Sequence, residues 1–223
     1  MELDLRDNKL SEDGCRAVLP TLLDENARLE RLSLSANPIR DVGACLLAEL
    51  LEDGSRAVHL KHLDLARASI TDAGCCRLAK SLETNTTLQT LGLAHNAMSN
   101  VTYVAFGKAL KDHNRTLVSI NLQCDRKKID ISGCEALLKM VEENYTMETV
   151  STNLGTSYEL KGIKFGYSSR IRMFLRLNHL GRQKLLDQKG TKEDWINTMI
   201  SVQDSIQAIH YLLTTNPSLC QRD

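Results

Sequence analysis

Apolar residues in this chain first alternate with polar ones, then recur at three- and four-residue spacing, and the whole pattern repeats about every 29 residues over two thirds of its length. The second copy reads Leu29, Leu32, Leu34, Asn37, Ile39 and the fourth reads Leu88, Leu91, Leu93, Asn96, Met98. The third gives Leu60, Leu63, Leu65, Ala68, Ile70 and the fifth Leu117, Ile120, Leu122, Asp125; the first begins at Leu3 and Leu5 before Asn8, and a weaker sixth begins at Met147 and Val150. Leucines two residues apart put their side chains on one side of a short strand, so each copy predicts a strand with one face in the core. The period then lengthens. Val18, Leu47, Leu78, Phe106 and Leu137 occupy one equivalent position, and Leu22, Leu51, Leu82, Leu110 and Val141 the position four residues on, which is the stripe of an amphipathic helix.

The polar residues between these stripes have predictable work. An Asn at the end of each strand carries an acceptor and two donors, so stacked copies form a ladder that satisfies backbone groups at the bend. Ser11, Asp41, Thr71, Ser99 and Asp130 stand where the helices begin and are placed to accept from free amide groups, with Gly14, Gly43, Gly74 and Gly133 just inside. Those glycines predict close helix packing rather than a phosphate loop. Asn26, Asn85, Asn114 and Asn144, each three residues before the next copy's first apolar residue, read as turn residues.

A strand, a turn and a helix in every unit place the strands parallel on one side and the helices on the other. Strands pack about 4.8 Å apart and helices roughly 8–10 Å apart, so the stack must curve with the strands inside. The expected fold is therefore α/β: a curved solenoid of five to six strand-turn-helix repeats, with a parallel inner sheet about 25 Å long, outer helices and a helical C-terminal cap. Over residues 1–155 the motif resembles the ribonuclease-inhibitor-like class of leucine-rich repeats, whose units alternate strand and helix. Two departures bear on the Asn ladder. Ala68 replaces Asn in the third copy, which follows the second at a spacing two residues longer than the usual repeat, and Asp125 replaces it in the fifth, ahead of an insertion at 126–128.

The tail, 156–223, departs from the repeat. Leu160, Ile163 and Phe165 could add an edge strand. One helix is expected from about Ser168 to Leu186 with a break at Gly181. A second is expected from a capping box at Thr191 and Asp194 through Trp195, Met199, Val202, Ile206, Ile209 and Leu213 to Asn216-Pro217. The last apolar edge of an open array needs a cover, so the tail is read as a cap. Its charge agrees: it holds 10 basic and 6 acidic side chains against 18 and 22 in residues 1–155, which predicts docking on its own array. The first unit has no such cover, and Leu3, Leu5, Leu10, Val18 and Leu22 predict a missing N-terminal portion or association through that face.

Composition narrows the chemistry. With 28 basic and 28 acidic residues and 42% apolar content, the 223-residue chain falls among globular proteins; no stretch reads as a membrane span and no secretory leader is present, so cytosol or nucleus is expected. Seven cysteines make no disulfide framework, and Cys15, Cys75 and Cys134 share a position that is Ala44 elsewhere, so they read as small core residues. Asn-x-Thr triplets at Asn85, Asn114 and Asn144 follow from the turn pattern. The six histidines fall at unrelated repeat positions, and neither a phosphate loop nor a nucleophile elbow occurs, so no cofactor, metal or catalytic group is expected.

The surface is then the candidate for function. Outward strand positions include Asp4, Arg6, Arg31, Ser33, Ser35, His62, Asp64, Arg67, Thr90, Gly92, His95, Ser119, Asn121 and Gln123. Arg31, Ser33, His62, Asp64, Arg67, His95, Asn121 and Gln123 are assigned to a concave face that binds a protein partner, without enzymatic activity and in preference to nucleic acid, since the basic tail carries no recognisable nucleic-acid-binding motif. The resemblance implies two alternatives. Proteins that activate the Ran GTPase use similar repeats, with an acidic tail where this one is basic. The ligand-sensing ends of nucleotide-binding innate-immune receptors do too, and there a nucleotide-binding domain would precede Met1.

Overall fold

The leucine periods become a single six-stranded parallel sheet in sequence order, each strand followed by a helix, in a computed structural model that describes residues 1–24, 28–54, 59–124, 129–153, 167–187 and 190–215. The strands are β1 (Glu2–Asp4), β2 (Arg31–Ser33), β3 (His62–Asp64), β4 (Thr90–Gly92), β5 (Ser119–Asn121) and β6 (Thr149–Ser151). The array helices are α1 (Glu12–Leu22), α2 (Arg40–Glu52), α3 (Asp72–Ser81), α4 (Asn100–Asp112) and α5 (Ile131–Glu143). The register aligns Leu3, Leu32, Leu63, Leu91, Ile120 and Val150 in one row facing the helices. With the helical stripe these residues form one continuous core, in which Leu34, Leu47, Leu65, Leu93, Phe106 and Leu137 have no exposed surface. Burial of one such side chain contributes about 1.5–3 kcal/mol.

The Asn ladder exists and runs backwards, each rung reaching the turn of the preceding unit. Asn37 Oδ1 accepts from the Asn8 and Leu10 amides, while its Nδ2 donates to the Leu5 and Leu34 carbonyls. The two substituted rungs behave differently. Ala68 offers no acceptor to the second turn, whose Ile39 N–H bonds the Asn37 carbonyl instead, and Arg40 takes a left-handed φ of 54°. At the fifth unit an Asp cannot donate; there the Tyr103 hydroxyl, buried in α4, donates to the Leu122 carbonyl at 3.0 Å. Asp125 itself, the insertion, Asn26, the suggested strand through Leu160, Ile163 and Phe165, and Asn216-Pro217 lie outside the described residues.

The exit asparagines do more than turn the chain. Asn85, Asn114 and Asn144 are buried, and each accepts from two amides of its own turn while its Nδ2 donates to the helix end of the preceding unit, as Asn114 does to the Leu82 and Asn85 carbonyls. Their engaged side-chain nitrogens make the Asn-x-Thr triplets part of the scaffold. A third row lies at the helix starts. Ser11, Thr71, Ser99 and Asp130 cap their own helices as expected. Asp41 does not: α2 begins after Ile39 without a side-chain cap, and Asp41 instead accepts from Thr71 N, Thr71 Oγ1 and Gly74 N of the next unit. Gly74 makes that possible, since a Cβ there would sit 2.7 Å from Asp41 Oδ1. Asp72 does the same for Ser99, and Asn100 for Asp130.

Cys15, Cys75 and Cys134 are core residues, and burial pushes their thiols up to about 11, 12 and 11. Because the thiolate is the reacting species, iodoacetamide at pH 8 should label the half-buried Cys45 and Cys76 well ahead of these three. Equal rates for the two sets in peptide mass spectrometry would show that the core opens on the labelling timescale.

The tail provides α6 (Tyr167–His179), α7 (Arg182–Leu186), α8 (Lys192–Ser201) and α9 (Ile206–Thr215). The first expected helix is interrupted at Gly181, whose φ is 83°, and the Thr191–Asp194 capping box is formed. The second expected helix is two helices. The chain turns at Val202–Ser205, where the Ser205 hydroxyl accepts from the Ala208 amide, so that Trp195, Val202, Ala208 and Leu212 close a small core with Leu177 and Leu185. One ion pair joins tail to array, Arg170 with Glu142 at 2.6 Å, beside two polar contacts: His179 Nδ1 lies 3.0 Å from Glu148 Oε2, and the Tyr167 hydroxyl donates to Glu135. Ile171, Phe174 and Leu175 of α6 enter the array core. At the opposite end, Leu3, Leu5, Leu10, Val18 and Leu22 are only half-buried, whereas their counterparts Leu32, Leu34, Leu47 and Leu51 are covered by a neighbouring unit.

Candidate protein-binding face

Since inward and outward residues alternate along a strand, the inner face of the sheet carries two ranks of side chains. One rank is Glu2, Arg31, His62, Thr90, Ser119 and Thr149; the other is Asp4, Ser33, Asp64, Gly92, Asn121 and Ser151. Charged groups concentrate in the first three units and give way to hydroxyls and an amide. An open groove of about 300 Å³ runs across the middle of this face, its walls formed by Glu2, Arg31, His62, Asp64, Ser119 and Asn121. Thus five of the assigned residues, Arg31, Ser33, His62, Asp64 and Asn121, come together around one depression. Glu2, two residues before Asp4 and of the same parity, belongs there as well; strand alternation alone suffices to place it.

The other three assigned residues lie beyond the strands. Arg67 and His95 sit at the bend with φ of 54° and 60°, as do Asp7 and Ala36 at the equivalent positions. This left-handed conformation is costly for residues with a Cβ. Here it aims the N–H at the next unit: Arg67 N donates to the Ala94 carbonyl at 2.9 Å and His95 N to the Gln123 carbonyl at 2.7 Å. Gln123 N in turn donates to Asn121 Oδ1. These side chains form a rim after the groove and do not line it.

Two local interactions fix the groove's electrical character. His62 Nδ1 lies 2.8 Å from Thr90 Oγ1. Burial, and then the nearby Arg31 and Lys61 charges, lower the His62 pKa below the ordinary 6.5, so the ring is neutral at pH 7. A histidine with a lowered folded-state pKa favours the fold fully above its unfolded pKa, and that contribution is lost as pH falls from about 6.5 toward the lower folded value. At the edges, Arg6 holds the Asp4 carboxyl below its usual range through a 2.6 Å ion pair, and Lys61 does so for Glu30. Among the described residues no group of His, Cys, Asp and Glu is placed to hold a metal ion, and no helix is long and apolar enough to cross a membrane.

Comparison with known proteins agrees with this architecture. A family profile described as "Leucine Rich repeat" matches residues 57–79. Among solved structures, the chain is similar to one titled "Leiomodin-1 Actin-Binding Site 2 (ABS2)", with a TM-score of 0.56 and 21% identity over 70% of this chain and 86% of that one. It is also similar to the tropomodulin C-terminal domain of Caenorhabditis elegans, with a TM-score of 0.55 and 18% identity over 80% of this chain and 99% of that one. No curated protein matches the sequence.

Proposed function

For a chain that is a leucine-rich repeat protein, we propose a non-enzymatic role as an interaction module that holds a protein partner against its concave sheet. The supporting observation is the convergence of Arg31, His62, Asp64 and Asn121 on one groove in a sheet whose register is fixed by its core. A rigid wall presents these groups without the ordering cost that a loop would incur on binding. In this reading residues 1–155 are the binding array and 156–223 the cap that closes its last helix.

Actin is the first partner to test, because the leiomodin domain of similar fold is titled an actin-binding site. Co-sedimentation with filaments and gel-shift with monomers cover both forms. Whatever partner is captured, the triple variant R31E/D64K/R67E is expected to weaken its binding at least about tenfold, since like charges juxtaposed across an interface cost several kcal/mol. Unchanged affinity of the folded triple variant would remove the concave face from consideration. The GTPase-regulating alternative is separated by a GTP hydrolysis assay on a panel of small GTPases, where the binding module leaves every rate unaltered.

A further inference from the structure

We propose that the concave groove seats one basic side chain of the partner, a lysine or arginine whose head rests over Gly92 against the Asp64 carboxylate; this rests on the concave face being the binding surface. In the rank Asp4, Ser33, Asp64, Gly92, Asn121 and Ser151, Gly92 is the position without a side chain, and it lies on the groove wall. A Cβ there would come within 2.5 Å of Asp64 Oδ1, so the carboxylate leans across into the glycine's hollow. Its Oδ1 accepts the Ala66 amide at 3.1 Å, and Asp64 makes no other hydrogen bond or ion pair among the described residues, its nearby cation Arg6 being paired with Asp4 and acting on it only through space.

The sign of the groove follows from its lining. Glu2 and Asp64 are acidic, Arg31 is basic and His62 is neutral, which leaves one net negative charge. Position decides between them. Arg31 is exposed, where water and salt screen it, whereas Asp64 is half-buried in the groove wall. At the Gly92 hollow a partner carboxylate would face Asp64 and be repelled, whereas a cationic head would find the remaining oxygen of that carboxylate in a depression of about 300 Å³, with room for one long side chain.

The test titrates the full isotope-labelled chain with N-acetyl-lysine amide and N-acetyl-arginine amide, following backbone amide chemical shifts. The Asp64, Gly92 and Asn121 amides should move along a saturating curve, while N-acetyl-glutamine amide and N-acetyl-glutamate amide leave them in place. Asp64→Asn, which keeps an acceptor for Ala66, should weaken the cationic probes about threefold to fivefold, the scale of one partly exposed ion pair. Gly92→Ala should do likewise by displacing Asp64. Equal shifts with the glutamine or glutamate probe, or unchanged affinity in Asp64→Asn, would overturn the seat. If the cationic probes fail while partner capture still responds to R31E/D64K/R67E, only the seat falls. If capture ignores that variant, the concave reading falls first.

Discussion

Asn96→Ala is expected to lower the free energy of unfolding by about 4 kcal/mol, measured by urea denaturation with circular dichroism. The side chain is buried and serves four backbone groups in two units. Its Oδ1 accepts the Ala68 and Ile70 amides, each at 3.0 Å, and its Nδ2 donates to the Leu65 carbonyl at 2.8 Å and the Leu93 carbonyl at 2.9 Å. Alanine leaves all four without partners where water has little access, and each unmade bond costs about 1–3 kcal/mol less whatever relaxation recovers. The exposed Asn8 supplies the contrast. Among the described residues its Nδ2 bonds only the Arg6 carbonyl, so Asn8→Ala should cost less than about 1 kcal/mol. Similar losses for the two variants would mean that the ladder is a consequence of stacking and not a cause of it.

The second large effect is expected at Arg182, which has no exposed surface. Its Nη2 donates to the Val141 carbonyl at 2.7 Å and the Glu142 carbonyl at 3.2 Å, the last turn of α5, and its guanidinium carbon lies 4.5 Å from the Tyr145 ring centre and 4.7 Å from that of Phe174. Burial lowers its pKa, against which the Tyr211 and Tyr145 rings and Glu142 favour the charged form. The group thus meets the negative end of a helix and the faces of aromatic rings in place of a carboxylate. Arg182→Ala should cost about 3 kcal/mol through lost packing and two bare carbonyls. Hydrogen exchange should localise that loss to α5 and α7–α9, leaving β2–β4 protected. Arg182→Lys should recover little, because an ammonium cannot stack as a plane, whereas Arg182→Met should recover part by filling the space. Uniform loss of protection across the array would contradict the assignment of Arg182 to the junction.

The two residues differ in how far the sequence revealed them. Asn96 announces itself by recurring with Asn8 and Asn37 at the end of a leucine pair, so its place at the bend is legible. Arg182 looks like one member of a basic run with Arg170, Arg172 and Arg176, and nothing in its spacing separates it from those exposed arginines. Asp41 shows the same gap on a smaller scale. Its position near a helix start suggests a cap for its own helix, yet its carboxylate serves the next. The groove is intermediate. Strand alternation gives the outward positions, including Arg31, His62 and Asp64, but the seat over Gly92 depends on how far Asp64 leans toward the neighbouring strand.

The sequence by itself determined the parallel sheet, the helical outer layer, the buried leucines and the identity of the turns, because a period of two or of 3.6 states which side of an element must leave water, and its recurrence makes the units stack. Tertiary structure alone decided which unit each polar side chain serves, that Arg67 and His95 stand on a rim, that the last helix divides in two, and that one arginine of a charged tail is buried. Most of those outcomes rest on contacts between residues far apart in the chain, such as Arg182 with Val141 and Asp41 with Thr71. They are set when neighbouring units pack, and a local pattern of apolar and polar residues carries no record of them.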